Sequence, residues 1–286
     1  MSKVKFLVLG PVGACLDGTP VNLTGPTALT ILAGLLVSAN AVVTRETLID
    51  WAWPGRRPVN PKAALQNAMS RLRKVIGEES VTTVPWGYVL RADSDRLDLV
   101  RFRTLHAAAS AAIADGAAEK ALVLLDEAIG LWYPPVLANV RSEILLRDTV
   151  PHLTEQYLGA VEQRAALRLR LMRPAGLPEE LAVLVREHPL RETLVGHLMV
   201  ALFLAGRPSE AFSAFHTLRL ALSSELGIAP GAALQRLYAA MIRDSPSFDL
   251  WLGERPAGRT SDSVVTAPWE RRDSDHSCRS RERCTH

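Results

Sequence analysis

The chain has 286 residues, enough for about two domains, and its 48% hydrophobic and 22% charged residues are ordinary for a globular protein. The net charge of +3 is modest. Three cysteines (Cys15, Cys278 and Cys284) make no disulfide framework, so a reducing cytoplasm is the expected setting. The longest apolar run, Ala28 to Val43, is interrupted by Thr30, Ser38 and Asn40. It falls short of the ~20 residues a spanning helix needs, which argues against a membrane segment. Charge is unevenly spread: residues 1 to 97 hold 11 Lys/Arg against 7 Asp/Glu, residues 98 to 245 hold 15 against 16, and the remainder 7 against 7. The basic excess of the first third points weakly to a polyanion.

Residues 3 to 9 (KVKFLVL) are rich in strand formers and stop at Gly10-Pro11. Lys3, Lys5, the apolar FLVLGPVGA and Cys15 also have the outline of a lipoprotein signal. The apolar run is short and Pro11 interrupts it, so an N-terminal strand explains it better. A second strand is expected around a turn at Asp17-Gly18-Thr19-Pro20, ending in Val21, Asn22 and Leu23. Thr24-Gly25-Pro26 introduces a helix over about 27–38, with Leu29, Leu32, Leu35 and Leu36 as its buried stripe. Thr44 caps a second helix, Thr47 to Trp53, with Leu48, Ile49 and Trp51 as core candidates. Pro54-Gly55-Arg56-Arg57-Pro58 is a stiff, basic connector.

The third helix, within Val59 to Ile76, carries the chemistry. Asn60 is its cap and Pro61 its first residue. At about 100° per residue, Leu65, Ala68, Met69, Leu72, Val75 and Ile76 share one side. Gln66, Asn67, Ser70 and Lys74 occupy the other, with Arg71 and Arg73 at its edges. That polar side has no carboxylate and carries the donors that read base edges and phosphates. A plain solvated face is the competing reading, although such faces usually mix Glu with Lys. The pattern then turns to period two: Val81 to Val84 and Tyr88 to Arg91 read as a hairpin around Pro85-Trp86-Gly87. A helix-turn-helix followed by a β wing is a DNA-binding plan.

From Asp98 the chain reads as all-helical, with candidate helices at about 101–114, 117–132, 143–171, 178–187, 191–205, 208–224 and 230–243. Short connectors with Gly or Pro join them, as in a tetratricopeptide-like array. Its clearest repeat runs from Leu198 to Leu218, turning at Gly206-Arg207 and setting Ala211, Phe212 and Phe215 on the second helix. An ordinary helical bundle is the alternative. The expected fold is therefore mainly α: a winged helix-turn-helix (α+β) over 1–97, then an all-α tetratricopeptide-like domain over 98–245. Residues 246–286 are dominated by Ser, Asp, Arg, Pro and Gly without periodicity, and read as a disordered tail. His276, Cys278, Cys284 and His286 lie there, at a spacing unusual for a structural zinc site.

Both halves resemble the Streptomyces antibiotic regulatory proteins, a family of actinomycete transcription activators. In the first half the resemblance rests on Leu9-Gly10-Pro11, Ala39-Asn40, Leu48-Ile49-Asp50, Trp53-Pro54, Ala64-Leu65-Gln66-Asn67, Ser70-Arg71-Leu72-Arg73 and Gly87-Tyr88-Val89-Leu90. In the second it rests on Glu187-His188-Pro189-Leu190-Arg191-Glu192, Leu198 to Leu202, Ala205-Gly206-Arg207, Glu210-Ala211 and Glu225 to Gly231. One departure is visible: Thr27, Ala28 and Leu29 follow Pro26, where the family commonly has Lys, Gln or Arg.

The resemblance and the helix geometry together imply the contacts. Gln66, Asn67, Ser70 and Lys74 face the major groove, and Arg71 and Arg73 reach phosphates or guanines. Lys62, with Thr44 or Arg45, touches backbone, and Arg91 on the wing meets the minor groove or a phosphate. The resemblance further implies two head-to-tail protomers on promoter direct repeats, recruitment of RNA polymerase, and control of an antibiotic or other secondary-metabolite cluster. The loop Pro54 to Asn60 lies where such domains meet polymerase, which makes Arg56 and Arg57 candidate contacts. No cofactor or metal is implied. The sequence holds no P-loop, no G-x-G-x-x-G and no G-x-S-x-G, and the histidines His106, His152, His188, His197 and His216 stand singly; an enzyme is not expected. Neither a receiver nor an ATPase domain is read in the chain. A protein-interaction scaffold with a degenerate winged helix is the second reading, supported by the missing basic residue after Pro26.

Overall fold

The structure, a computed structural model, describes residues 4–21, 25–55 and 57–243. Lys3, Asn22, Leu23, Thr24, Arg56 and the tail with its Cys and His residues lie outside them.

Strand β1 (Val4–Leu7) alternates buried and exposed residues and pairs antiparallel with β2 (Gly13–Leu16), Val4 opposite Leu16. The chain then turns on Asp17 and Gly18, both at positive φ, as a two-residue hairpin turn requires. The expected turn is shorter than four residues, because Thr19–Pro20 already pairs with β2 as β3. Pro20 is tolerated there because β3 is an edge strand. Helix α1 (Pro26–Val37) starts with Pro at its first turn and is buried from Thr30 to Leu36. A helix apolar all round belongs at the centre of its domain.

A two-residue strand β4 (Val43–Thr44) leads into α2 (Arg45–Ala52), whose first turn is capped by the Thr44 hydroxyl accepting from the Thr47 N–H at 3.1 Å. Helix α3 (Pro61–Ile76) is capped by Asn60, whose Oδ1 accepts from the Ala63 N–H at 3.1 Å. It buries Leu65, Met69, Leu72 and Ile76 against α1 and α2. A 3-10 turn at Glu78–Ser80 precedes β5 (Val81–Val84) and β6 (Gly87–Leu90). The three strands form an antiparallel sheet in the order β4-β6-β5. Asn40, at positive φ, closes its end: its side chain donates to the Ala92 carbonyl at 2.7 Å and accepts from the Ala92 N–H at 3.2 Å.

Among the described residues seven helices follow: α4 (Asp98–Ala114), α5 (Ala118–Ile129), α6 (Glu143–Arg170), α7 (Leu177–Glu187), α8 (Glu192–Leu204), α9 (Pro208–Leu226) and α10 (Ala232–Ile242). Neighbours pack in pairs, α4 with α5, α7 with α8, and α8 with α9. The 28 residues of α6, about 42 Å at 1.5 Å per residue, form the spine. Its residues Leu145, Leu153, Ala160 and Leu167 join a core shared with the winged helix, α4 and α5. Leu158, Val161, Ala165 and Leu169 join a second core with α7 to α10.

The winged helix is also tied to the helices by its own first loop. The Asp98 carboxylate accepts from the N–H groups of Val8 and Leu9 at 2.9 and 3.0 Å. Asn139 accepts from the Val12 N–H at 2.7 Å and donates to the Val12 carbonyl at 2.9 Å. The N–H groups of Tyr133 and Leu137 donate to the carbonyls of Leu9 and Gly10. A Cβ on Gly10 would stand 2.8 Å from the Tyr133 carbonyl oxygen, so only glycine fits this close approach.

Candidate nucleic-acid interface

Helix α3 presents Lys62, Gln66, Asn67, Ser70, Arg71 and Lys74 to solvent. The burial of Leu65, Met69, Leu72 and Ile76 turns these six outward. Among the described residues none of the six is held by a hydrogen bond or an ion pair, and α3 has no acidic residue. Uncommitted donors without a competing carboxylate suit a polyanionic surface with acceptors on its edges. The last turn carries Arg73 and Lys74, which also complement the helix dipole.

Two residues expected on this surface are committed elsewhere. The Arg73 guanidinium donates to the Val81 carbonyl at 3.1 and 2.8 Å and to the Thr83 hydroxyl at 2.7 Å. Arg45 donates to the carbonyls of Pro85 at 2.5 Å and Val84 at 3.3 Å. The two guanidinium carbons lie 5.8 and 5.9 Å from the ring centroid of the buried Tyr88, within cation–π reach. Both arginines therefore brace the wing from α3 and α2, and Tyr88 is the platform between them. Helical periodicity places Arg73 on an edge of α3 but is silent about the strand that passes beside it.

The remaining candidates are placed as follows. Thr44 is exposed, with its hydroxyl used as the α2 cap and 2.8 Å from that of Thr47. Arg91 is exposed just past β6, and its N–H donates to the Ser80 carbonyl. Arg57 is exposed in the connector and forms an ion pair with Asp50 of α2. Gly87 abuts β4 so closely that a Cβ would stand 1.9 Å from the Val43 carbonyl oxygen. This contact sets the wing against the start of α2. A groove of about 440 Å³ opens between the first turn of α1 and the outer face of α3, lined in part by Pro26, Thr27, Trp53, Asn67, Arg71 and Val75.

Two family models match the chain. Residues 18–90 match "Transcriptional regulatory protein, C terminal" and residues 97–242 match "Bacterial transcriptional activator domain". The regulatory protein DnrI of Streptomyces peucetius is 32% identical over 265 residues, covering 89% of this chain and 97% of DnrI. The regulatory protein AfsR of Streptomyces griseus is 33% identical over 240 residues, covering 84% of this chain but only 24% of AfsR. The solved structure of Mycobacterium tuberculosis EmbR in complex with a low affinity phosphopeptide superposes with a TM-score of 0.80 at 30% identity, over 86% of this chain and 66% of that one. Among the described residues no helix is long and apolar enough to cross a membrane. A winged helix with an acid-free third helix, a fused activator domain, and matches that run through both halves place this chain in the Streptomyces antibiotic regulatory protein family of DNA-binding transcriptional activators.

Proposed function

We propose that the protein binds direct repeats in a promoter as head-to-tail protomers, recruits RNA polymerase there, and switches on genes of a secondary-metabolite cluster. The observation that supports this most is the outer face of α3, with Lys62, Gln66, Asn67, Ser70, Arg71 and Lys74 exposed and no carboxylate among them. In this reading Gln66, Asn67, Ser70 and Lys74 meet base edges in the major groove, and Arg71 and Lys62 meet flanking phosphates. Thr27 and Ala28 border the same groove as Asn67 and Arg71. The backbone N–H groups of the first turn of α1 thus stand in for the missing basic side chain as a phosphate contact. Arg45 and Arg73 act by holding the wing, and Arg91 meets backbone beside it.

A net charge of +4 on residues 1–97 makes one copy a weak binder, and a second protomer doubles the phosphate contacts. The helical domain keeps two protomers in register and offers a surface to polymerase. Arg57 is paired with Asp50, so a polymerase contact through it has to displace or extend that pair. The site of action is the cytoplasm, where the promoter is.

A salt-series titration tests the reading, comparing promoter fragments from the gene neighbourhood with scrambled controls. The expected result is a preference of ~10³ or more with a clear salt slope. Replacing Asn67 and Ser70 together by Glu should abolish that preference without altering the melting temperature, because both residues are exposed. Equal, weak binding to both DNAs, or an unchanged preference in the double variant, would overturn the reading and favour the scaffold alternative.

A further inference from the structure

The wing ends in a two-residue turn, Pro85–Trp86, between the paired Val84 and Gly87. Trp86 is 77% exposed, whereas Trp51, Trp53 and Trp132 are half-buried against the core. An indole left in water forgoes the burial of some 150–250 Å² that makes aromatic residues useful. The turn that carries it is not loose. Arg45 holds it through three bonds: two from its guanidinium to the Pro85 and Val84 carbonyls, and one from its own N–H to the Trp86 carbonyl at 3.3 Å. The pairing of Thr44 with Gly87 holds it from the side. A rigid, braced backbone therefore projects a large apolar ring with almost no cover.

We infer that Trp86 is a DNA wedge: its indole enters the minor groove beside the α3 site and packs against sugar and base edges, making the wing a reader of groove shape. The inference rests on the DNA-reading function above. DNA is the occupant favoured by the surroundings. From Val81 to Arg91 the chain has no carboxylate, Thr82 and Thr83 are exposed, and Arg91 is exposed past β6. Arg45 of α2 braces the turn and Arg73 of α3 braces β5 through Val81 and Thr83, so the indole is coupled through the wing to the helix proposed to read the adjacent major groove. Apolar wedges at minor-groove steps favour flexible pyrimidine–purine sequences, which adds specificity where no base edge is read by α3.

The test starts with the full chain and a random-duplex library, from which bound sites are selected. Affinities of the wild type, W86A and W86F are then measured on the selected duplex. They are measured again on a duplex in which inosine replaces guanine at the pairs flanking the α3 footprint. That exchange removes a minor-groove amino group and leaves the major-groove edge intact. The expected results are an affinity roughly tenfold or more lower for W86A at an unchanged melting temperature, recovery of most of it in W86F, and an inosine effect present in the wild type but absent in W86A. Unchanged affinity of W86A on a well-defined site would overturn the wedge while leaving the DNA-reading function standing. Normal DNA affinity with reduced output in a reconstituted polymerase assay would also overturn it, assigning the indole to a protein partner. A selection that returns no preferred site would overturn the DNA-reading function itself, and the wedge with it.

Discussion

Arg71 and Arg73 stand two positions apart on the same helix and differ in what holds them. Arg71 is exposed beside the groove at α1, whereas Arg73 is half-buried and spends its guanidinium on Val81 and Thr83. Arg71→Ala should lower DNA affinity and reduce the salt slope by about 1 with no change in melting temperature. Arg73→Ala should instead cost about 1–3 kcal/mol of stability in urea unfolding, because two strand acceptors lose a charged donor. A stability equal to wild type would show that the wing does not depend on it. Helical periodicity brought both arginines to the edge of the polar face, but only a strand from a later part of the chain separates their roles. His197 is a second case. It is 4% exposed within α8, and burial pushes its imidazole down from 6.5 to about 4. Between those values the unfolded chain takes up a proton that the native side chain refuses. Stability is therefore fully present above about pH 6.5 and falls as the pH drops toward 4, by up to about 3 kcal/mol. His197→Leu should flatten that part of the stability–pH curve relative to wild type, as measured by urea unfolding at several pH values.

The helices were the most legible elements, since period and connector announce them, and for α2 and α3 a side-chain cap as well. Asn60, Pro61 and Gly77 bracket α3 as N-cap, first residue and C-cap. Asn60→Ala should cost about 1 kcal/mol by removing an acceptor from the Ala63 N–H. Denaturant midpoints at constant slope would report it. Strands were less legible. β4 is two residues long and exists because β6 passes beside Val43 and Thr44; nothing local in Ala41-Val42-Val43-Thr44 marks the pairing. The expected strand ending in Val21, Asn22 and Leu23 starts earlier, at Thr19, and its Val21 N–H donates to the Ala14 carbonyl, while Asn22 and Leu23 lie outside the described residues. Elements stabilised by their own sequence can be read from it, and those stabilised by distant partners cannot.

At the scale of the molecule, one hydrophobic core runs from β1 and α1 through α4, α5 and part of α6. The winged helix and the first helices after it should therefore melt in one transition, and the segment 1–97 made alone should be markedly less stable than in the full chain. Asn139→Ala strips the Val12 N–H and carbonyl of their partner and should cost about 1–3 kcal/mol. Two separate calorimetric transitions below residue 170, or an unaffected N139A, would contradict this coupling. The sequence offered no hint of it: Asp98 and Asn139 lie 90 and 127 positions from Val8 and Val12, and each reads locally as an ordinary polar residue near a helix start or in a connector.

The embedding of Leu9 to Val12 also bears on how such regulators can be recombined. A reading head transplanted by cutting at residue 97 arrives without the connector that Gly10 fits, in which the Tyr133 carbonyl leaves room for no side chain larger than hydrogen. Chimeras that exchange residues 1–97 together with 131–142 should therefore express as soluble, operator-switching hybrids more often than those that exchange residues 1–97 alone. The functional cassette, in this sense, is discontinuous in sequence.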